Sequence, residues 1–394
     1  MATASRSAGT RLRPAERRRQ LVDAATALFL EQGYGKVSVS DIARAAGISG
    51  PSVYRHFPDK EAILAAAMRS AVDEMAETTA RVLARPGATF EDLSSAVFAM
   101  AVSRPGPLAL WRWNRRHLTA EQAREMIAAS ESVLGSWTEV LRRDHPELTD
   151  DDARVLTWAV LAVGGSVPPS RGRIGIRRYR ADLELIARRV LRAAPSTAPQ
   201  LPAPPPHRAP VVRSDEILDA ASELFFSRGY SAVSMDDIGA AVGISGPSVY
   251  GHFPSKGSIL VGIVARARAA LEIGVVGAAG VSDGDPLAEL RALVRSYAAN
   301  LVSSTDLAVA FTVGREVVIE SGGEALLAAQ KAYVARWVAL LAAGSDGGID
   351  AAGARIAVGA AMTIANDFAR TRRLRGRPRF HDELVHLVDA ALGI

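Results

Sequence analysis

Residues 45–60 read AAGISGPSVYRHFPDK, and residues 241–256 read AVGISGPSVYGHFPSK. A constant offset of 196 aligns residues 21–60 with residues 217–256, and 24 of the 40 aligned positions are identical. The match continues more weakly through the rest of each copy. Because an internal repeat sets the architecture before any local pattern does, we infer a tandem duplication of a unit of roughly 190 residues.

A proline-rich segment separates the two copies. Residues 195–210 contain seven prolines in 16 positions. Such runs resist helix and sheet and act as semi-rigid spacers, so this one would reach about 50 Å at about 3.1 Å per residue. The predicted division is a first head at 1–62, a first body at 63–194, a linker at 195–210, a second head at 211–258 and a second body at 259–394.

The apolar residues of each copy recur at helical rather than alternating spacing. Leu21, Ala24, Ala25 and Leu28 fall at i, i+3, i+4 and i+7 of one helix face, and the pattern repeats from Ile217. Ala- and Leu-rich stretches fill the rest of each copy without a convincing Val/Ile alternation. We predict an all-α fold of two tandem copies, each a short head on a larger helical body.

Each head is predicted to contain two short helices joined by a glycine turn. Ser38 is a good N-cap for a helix over 39–46, Gly47 ends that helix, and Pro51 suits the first turn of the next. The second copy repeats all of these residues at the offset of 196. This arrangement is a helix-turn-helix, whose second helix enters the DNA major groove.

The string G-I-S-G-P-S-V-Y-x-H-F-P-x-K resembles the DNA-binding domain of TetR-family transcriptional repressors. The resemblance spans roughly 45 residues in each copy, and the whole chain resembles the family's less common two-copy members. It implies that each body is a ligand-binding and dimerisation domain. It also implies a ligand-responsive regulator, expected to be a repressor of lipid, steroid or efflux genes, with activation left open because the same heads serve both.

Polar and aromatic side chains in each head suit contacts with double-stranded operator DNA. Hydroxyl, phenol and imidazole groups donate hydrogen bonds to phosphate oxygens, while Lys60 and Lys256 are expected to offer point charges at the next helix start. The repeated Gly-Pro-Ser suits base edges, which predicts two similar half-sites. The predicted DNA-binding residues are Ser38, Ser40, Arg44, Gly50, Pro51, Ser52, Tyr54, Arg55, His56, Lys60, Ser234, Gly246, Pro247, Ser248, Tyr250, His252 and Lys256.

The two heads differ in charge. Residues 11–60 hold nine Lys/Arg against five Asp/Glu, a net charge of +4, whereas residues 207–256 hold four against six, a net charge of −2. Since neutralised phosphates supply much of the affinity for DNA, the first head is expected to bind more tightly. The alternative is a small-molecule-binding or protein-docking module in which the second head no longer binds DNA.

Aromatic and basic residues in each body mark candidate effector pockets. They suit a large apolar ligand with an anionic end, such as an acyl-CoA, a fatty acid or a steroid acid. They equally suit an aromatic core beside a solvated basic face, so the ligand stays open. The predicted ligand-binding residues are Trp111, Arg112, Arg115, Trp137, Trp158, Phe311, Arg315, Tyr333 and Trp337.

The resemblance predicts that one chain forms an intrachain pseudo-dimer. The last two helices of the first copy, over 150–164 and 178–193, would pack against those of the second, over 350–370 and 380–392. A second chain could still join through another surface, which would make a homodimer.

Composition excludes several other classes of protein. The chain of 394 residues has no cysteine, which rules out disulfides and Cys-ligated metals and favours a reducing compartment, the cytoplasm. Neither a signal peptide nor a membrane span is expected. The seven histidines show no metal-ligand spacing, and no phosphate-binding glycine motif occurs, so we expect neither an enzyme nor a cofactor.

Overall fold

The computed structural model describes residues 13–106, 110, 118–169, 172–204, 210–312, 315–345 and 347–394. No strand occurs within these ranges, and the all-α prediction is confirmed. The helices of the first copy are α1 (Pro14–Gln32), α2 (Val39–Ala45), α3 (Gly50–Val53), α4 (Lys60–Leu83), α5 (Phe90–Ser103), α6 (Ala120–Asp144), α7 (Asp150–Gly164) and α8 (Ile176–Leu191).

The second copy repeats the order of these eight helices and has three further short helices among the described residues. Short 3-10 turns occur at Pro195–Thr197 and Tyr230–Ala232. The helices are α9 (Arg213–Arg228), α10 (Met235–Ala241), α11 (Gly246–Tyr250), α12 (Lys256–Val281), α13 (Pro286–Ser303), α14 (Asp306–Thr312), α15 (Arg315–Glu320), α16 (Glu324–Gly344), α17 (Ala351–Arg370), α18 (Arg372–Arg375) and α19 (Phe380–Leu392).

The chain forms two compact units. The first unit joins residues 1–74 with 106–126, and the second joins 75–105 with 127–394. In the first unit, the core of the head is built from the buried side chains Leu21, Phe29, Ile42, Val53 and Ile63.

The second unit contains a head with the same core. Its buried side chains Ile217, Phe225, Ile238, Val249 and Ile259 stand at the offset of 196 from their counterparts in the first head. The repeat therefore preserves the apolar contacts that hold the helices of each head together. All five positions carry apolar side chains in both copies.

Within the second unit, the last two helices of the two copies pack against each other, as predicted. Helix α17 packs on α7 and α8, and α19 packs on α8. Helix α17 is buried on almost every side, from Ala354 to Ala369, because it lies between its own copy and the other. A helix that is apolar all round needs such enclosure. We call this contact the seam.

Two ion pairs cross the seam in reciprocal positions. Arg178, near the start of α8, donates to Asp350, the N-cap of α17, at 2.9 Å. Arg377, just before α19, donates to Asp151 in the first turn of α7 at 2.5 Å. Reciprocal contacts of this kind are typical of an isologous dimer interface.

The start of the proline-rich segment is docked rather than free. Ser196 donates from its backbone N–H and from its hydroxyl to Asp152, at 2.9 and 2.6 Å, and Arg379 donates to the Ala198 carbonyl. Pro195 and Ala198 are buried. The free spacer expected over residues 195–210 therefore begins later, because the Asp152 carboxylate captures the first turn.

We predict that Arg377→Gln lowers the free energy of unfolding by about 3 kcal/mol, because it leaves the buried Glu383 carboxylate, 2.5 Å from the Arg377 Nε, without its charged partner. Chemical denaturation of the full chain measures the loss. Arg178→Gln is the matched control across the same seam, and its half-exposed pair with Asp350 should cost under about 1 kcal/mol. Equal losses would contradict the buried role of Arg377.

Candidate DNA-binding interface

The first short helix of each head begins with a capping box. The Ser38 hydroxyl accepts from the Asp41 N–H at 3.1 Å, while the Asp41 carboxylate accepts from the Ser38 hydroxyl and backbone. These hydrogen bonds hold the pKa of Asp41 below its usual value. Ser234 and Asp237 repeat the same box in α10. Each serine thus fixes the start of the helix.

The turn that follows sets the direction of the second short helix. Gly47 has φ +65° and Gly243 has φ +70°, a conformation that disfavours side chains with a Cβ. The Ile48 N–H donates to the Ala43 carbonyl at 3.0 Å, which completes a Schellman motif. The predicted helix stop is therefore confirmed in both copies.

The second short helix presents its aromatic side chain to solvent. Tyr54 is 59% exposed and Tyr250 is 55% exposed, whereas Phe57, three residues further on, is buried in the core. A large ring held in water at this point has no packing role. It is available to a partner.

The predicted DNA-binding residues of each head lie on its two short helices and at the start of the long helix that follows. Gly50, Ser52, His56, Lys60 and Lys256 are partly exposed, and Gly246 is buried. The exposed residues are Ser38, Ser40, Arg44, Pro51, Tyr54, Arg55, Ser234, Pro247, Ser248, Tyr250 and His252.

The serines of the reading helices already hold internal hydrogen bonds. The hydroxyls of Ser49 and Ser52 lie 2.7 Å apart, and those of Ser245 and Ser248 lie 2.8 Å apart. A hydroxyl has one proton and two lone pairs, so each serine can still form a hydrogen bond with a base edge.

The structure places the two predicted phosphate-binding lysines differently from expectation. The Lys60 ammonium donates to the Tyr34 carbonyl at 3.0 Å and lies 4.2 Å from the centre of the Tyr34 ring. The Lys256 ammonium donates to the carbonyls of Tyr230 and Val233, and burial lowers its pKa. Both charges tie the next helix to the loop before the helix-turn-helix, because carbonyl oxygens and a ring face stand within reach.

Sequence reasoning missed two residues at this interface. Arg18 stacks 4.0 Å from the Phe57 ring centre and donates to the His56 carbonyl, which brings a guanidinium to the end of the first head's reading segment. In the second head, the Asp236 carboxylate presses on Gly246, where a Cβ would lie 1.8 Å from the Asp236 Oδ1. Ser40 occupies that place in the first head. Aligning the two copies at the offset of 196 could have revealed Asp236, because it replaces the predicted DNA-binding residue Ser40.

The second body contains an apolar cleft with about 560 Å³ of free space, its opening included. Phe311 and Tyr333, two of the predicted ligand-binding residues, line it, and the paired Arg268 and Glu272 are also among its lining residues. Trp337 lies behind them in the core, 5.7 Å from the Tyr297 ring.

Other predicted ligand contacts are placed elsewhere. Trp137 is fully buried, where its Nε1–H donates to Thr79 at 2.9 Å and its ring packs on Phe90, so it is a core residue and the prediction was wrong. Trp158 is partly buried on α7. Trp111, Arg112, Arg115 and the side chain of Arg315 lie outside the described residues.

The two buried tryptophans differ in one hydrogen bond. At the offset of 196, Val275 stands where Thr79 accepts from Trp137. The Trp337 Nε1 is consequently buried without an acceptor in hydrogen-bonding geometry among the described residues. Burial raises the pKa of the adjacent Tyr333, an effect that the nearby indole partly offsets. The interior of the second body has thus changed more than that of its head.

The two heads are helix-turn-helix domains of the class that places its second helix in the major groove of DNA. The family model "Bacterial regulatory proteins, tetR family" matches the chain at residues 21–67 and again at 217–263. Both heads therefore match the DNA-binding domain of this family.

Several relatives of the chain are transcriptional regulators. The chain is 31% identical over 109 residues to the HTH-type transcriptional repressor KstR2 of Rhodococcus jostii, which is 27% of this chain and 53% of KstR2. It is 37% identical over 84 residues to the HTH-type transcriptional regulator HbdR of an Aromatoleum species, 21% of this chain and 37% of HbdR. The chain therefore spans about half of KstR2 and just over a third of HbdR.

We predict that Lys256→Met lowers the free energy of unfolding by about 1–3 kcal/mol, because two carbonyls lose a charged donor while the apolar stem is kept. Thermal and urea unfolding of the full chain measure it. Lys36→Met removes an exposed charge from the first head and should stay within about 0.5 kcal/mol. An unchanged stability of the Lys256 variant would show that its ammonium is free for DNA.

Proposed function

We propose that the chain is a ligand-responsive transcriptional regulator that acts in the cytoplasm and binds double-stranded operator DNA. The observation that carries this proposal is the duplicated helix-turn-helix, with Tyr54 and Tyr250 exposed at equivalent points of the two reading helices. We propose the predicted DNA-binding residues as the contact surface, apart from Lys60 and Lys256, whose charges act inside the fold. Repression is supported by the similarity to KstR2, a transcriptional repressor.

The two heads are proposed to contribute unequally. Arg44 and Arg55 are exposed in the first head, and Ala240 and Gly251 replace them in the second. The Asp236 carboxylate beside the start of α11 adds a negative charge where phosphates and acceptor-rich base edges would approach. These differences favour weaker DNA binding by the second head than by the first.

The experiment begins by selecting bound genomic fragments with the full chain and titrating the best one at fixed salt. Tyr54→Ala should weaken binding at least about tenfold, while the matched Tyr250→Ala should cost less, because the basic head supplies most of the phosphate neutralisation. Equal losses would contradict unequal heads. No selected fragment would contradict the DNA-binding proposal itself.

The salt dependence of DNA binding distinguishes contacts made by charged side chains from contacts made by uncharged ones. Replacing both Arg44 and Arg55 by alanine should lower the slope of log K against log salt by about 2, since each exposed guanidinium releases about one counterion. The Tyr54→Ala slope should stay unchanged, because a phenol carries no charge.

The apolar cleft of the second body is proposed as the effector site. Its lining includes Val264, Val318 and Leu326, which also pack on the core of the second head. A ligand there touches the side chains that position the head, which gives it a route to favour one head orientation. The apolar lining beside the Arg268–Glu272 pair supports an amphipathic acid, such as a fatty acid, an acyl-CoA or a steroid acid.

We predict that Ala267→Phe blocks this site. Ala267 lines the cleft, so a phenyl ring would fill it and weaken binding of an amphipathic acid at least tenfold. Thermal shift with a panel of fatty and steroid acids, followed by DNA release, is the measurement. Ala265→Phe is the matched control, since Ala265 is exposed on the same helix. Equal ligand responses in the two variants would place the effector elsewhere.

A further inference from the structure

The second half of α12 exposes large apolar side chains. Ile273, Val276 and Val281 are between 72% and 75% exposed. Ile273, Val276 and Gly277 share one helix face at i, i+3 and i+4, and Gly280 continues it one turn later. Three branched side chains held in water on one stretch need a reason, because scattered single exposures are the norm.

The first copy supplies a matched comparison at the offset of 196. Asp73, Glu77, Arg81 and Arg85 stand in the positions of Ala269, Ile273, Gly277 and Val281. The same helix face is thus charged at every turn in the first copy and apolar in the second. The fold therefore does not require an apolar surface here.

The neighbouring helix α16 shows the same change. Five of its exposed positions follow a spacing of three and four residues and are alanine: Ala325, Ala328, Ala332, Ala335 and Ala339. At the offset of 200 that pairs Trp137 with Trp337, the first copy holds Glu125 and Glu139 at two of these positions. We call the exposed apolar side of α12 and α16 the outer face.

The charges on the outer face are balanced. Arg268 pairs with Glu272 at 2.7 Å, and the first eight residues of α16 expose one acid and one base, Glu324 and Lys331. A second copy would therefore meet no like-charge repulsion. The three-four alanine spacing lets a partner helix approach closely along the whole of α16.

The size of the outer face fits a stable contact. A helix of 21 residues is about 31 Å long and about 10 Å wide, so α16 and half of the 26-residue α12 offer on the order of 500 Å² in projection. Stable interfaces bury about 800 Å² of accessible surface per partner. The seam is already filled by the chain's own two copies, so a further chain needs a different surface.

We propose that the outer face of α12 and α16 binds the outer face of a second copy of this chain, giving a dimer with four heads. The proposal is independent of DNA and of an effector. Helix α16 is also long and apolar enough by composition to cross a membrane, and only 11% of that window is buried, so lipid is the competing partner for the test.

The experiment measures the mass of the full chain by sedimentation between about 1 and 100 µM, where interfaces of this size associate. Wild-type protein should reach twice 41.6 kDa. Combining Ile273→Glu with Gly277→Arg installs the pair that the first copy holds there, and space around Gly277 is open. This variant should weaken association at least about 100-fold, with unchanged helix content and thermal stability.

Ile127→Glu is the control, because Ile127 is a partly exposed apolar residue on α6 of the first copy. It should leave the dimer intact. A wild-type chain that stays monomeric throughout this range would overturn the proposal, as would a dimer that survives the double substitution. Flotation of a monomeric wild-type chain with phosphatidylcholine–phosphatidylglycerol vesicles, lost in the double variant, would overturn it in favour of lipid.

Discussion

The enclosure of α17 is the constraint on which the second unit depends. This helix is apolar on nearly every side, so it is stable only where α7 and α8 of the other copy cover the side that its own copy leaves open. In two separate chains that cover would depend on concentration. Fusion makes this contact intramolecular, so the linker rather than the protein concentration sets how often the helices meet. The Arg377 bridge to Asp151 and Glu383 fixes the register of the contact.

A seam held within one chain permits the copies to diverge, and in the heads the differences fall on surfaces rather than on the shared core. The five core positions of the heads keep their apolar character, while Ser40 becomes Asp236 and Glu77 becomes Ile273. In a symmetric homodimer any substitution appears on both sides. Here one side can lose phosphate charge or gain an apolar face without changing the other.

The features that sequence predicted are those set by local rules. The caps at Ser38 and Ser234 and the glycine turns follow from short-range hydrogen bonding, whereas the packing of the seam helices was implied by the family resemblance. What sequence could not predict depends on atoms brought together by tertiary folding. The direction of the Lys60 ammonium, the burial of Trp137 and the docking of Ser196 on Asp152 each depend on a partner 26 to 58 residues away.

If the two heads contribute unequally, as proposed, this limits what an effector bound in the second body could do. Val264, Val318 and Leu326 join the cleft to the core of the second head, so a ligand there acts first on the head with the weaker phosphate charge. If both heads bind one operator, displacing the second removes only its share of the binding free energy. Large release would therefore require the seam to pass the change to the first copy, and packed apolar helices such as α7 and α17 transmit a rigid shift better than a graded deformation.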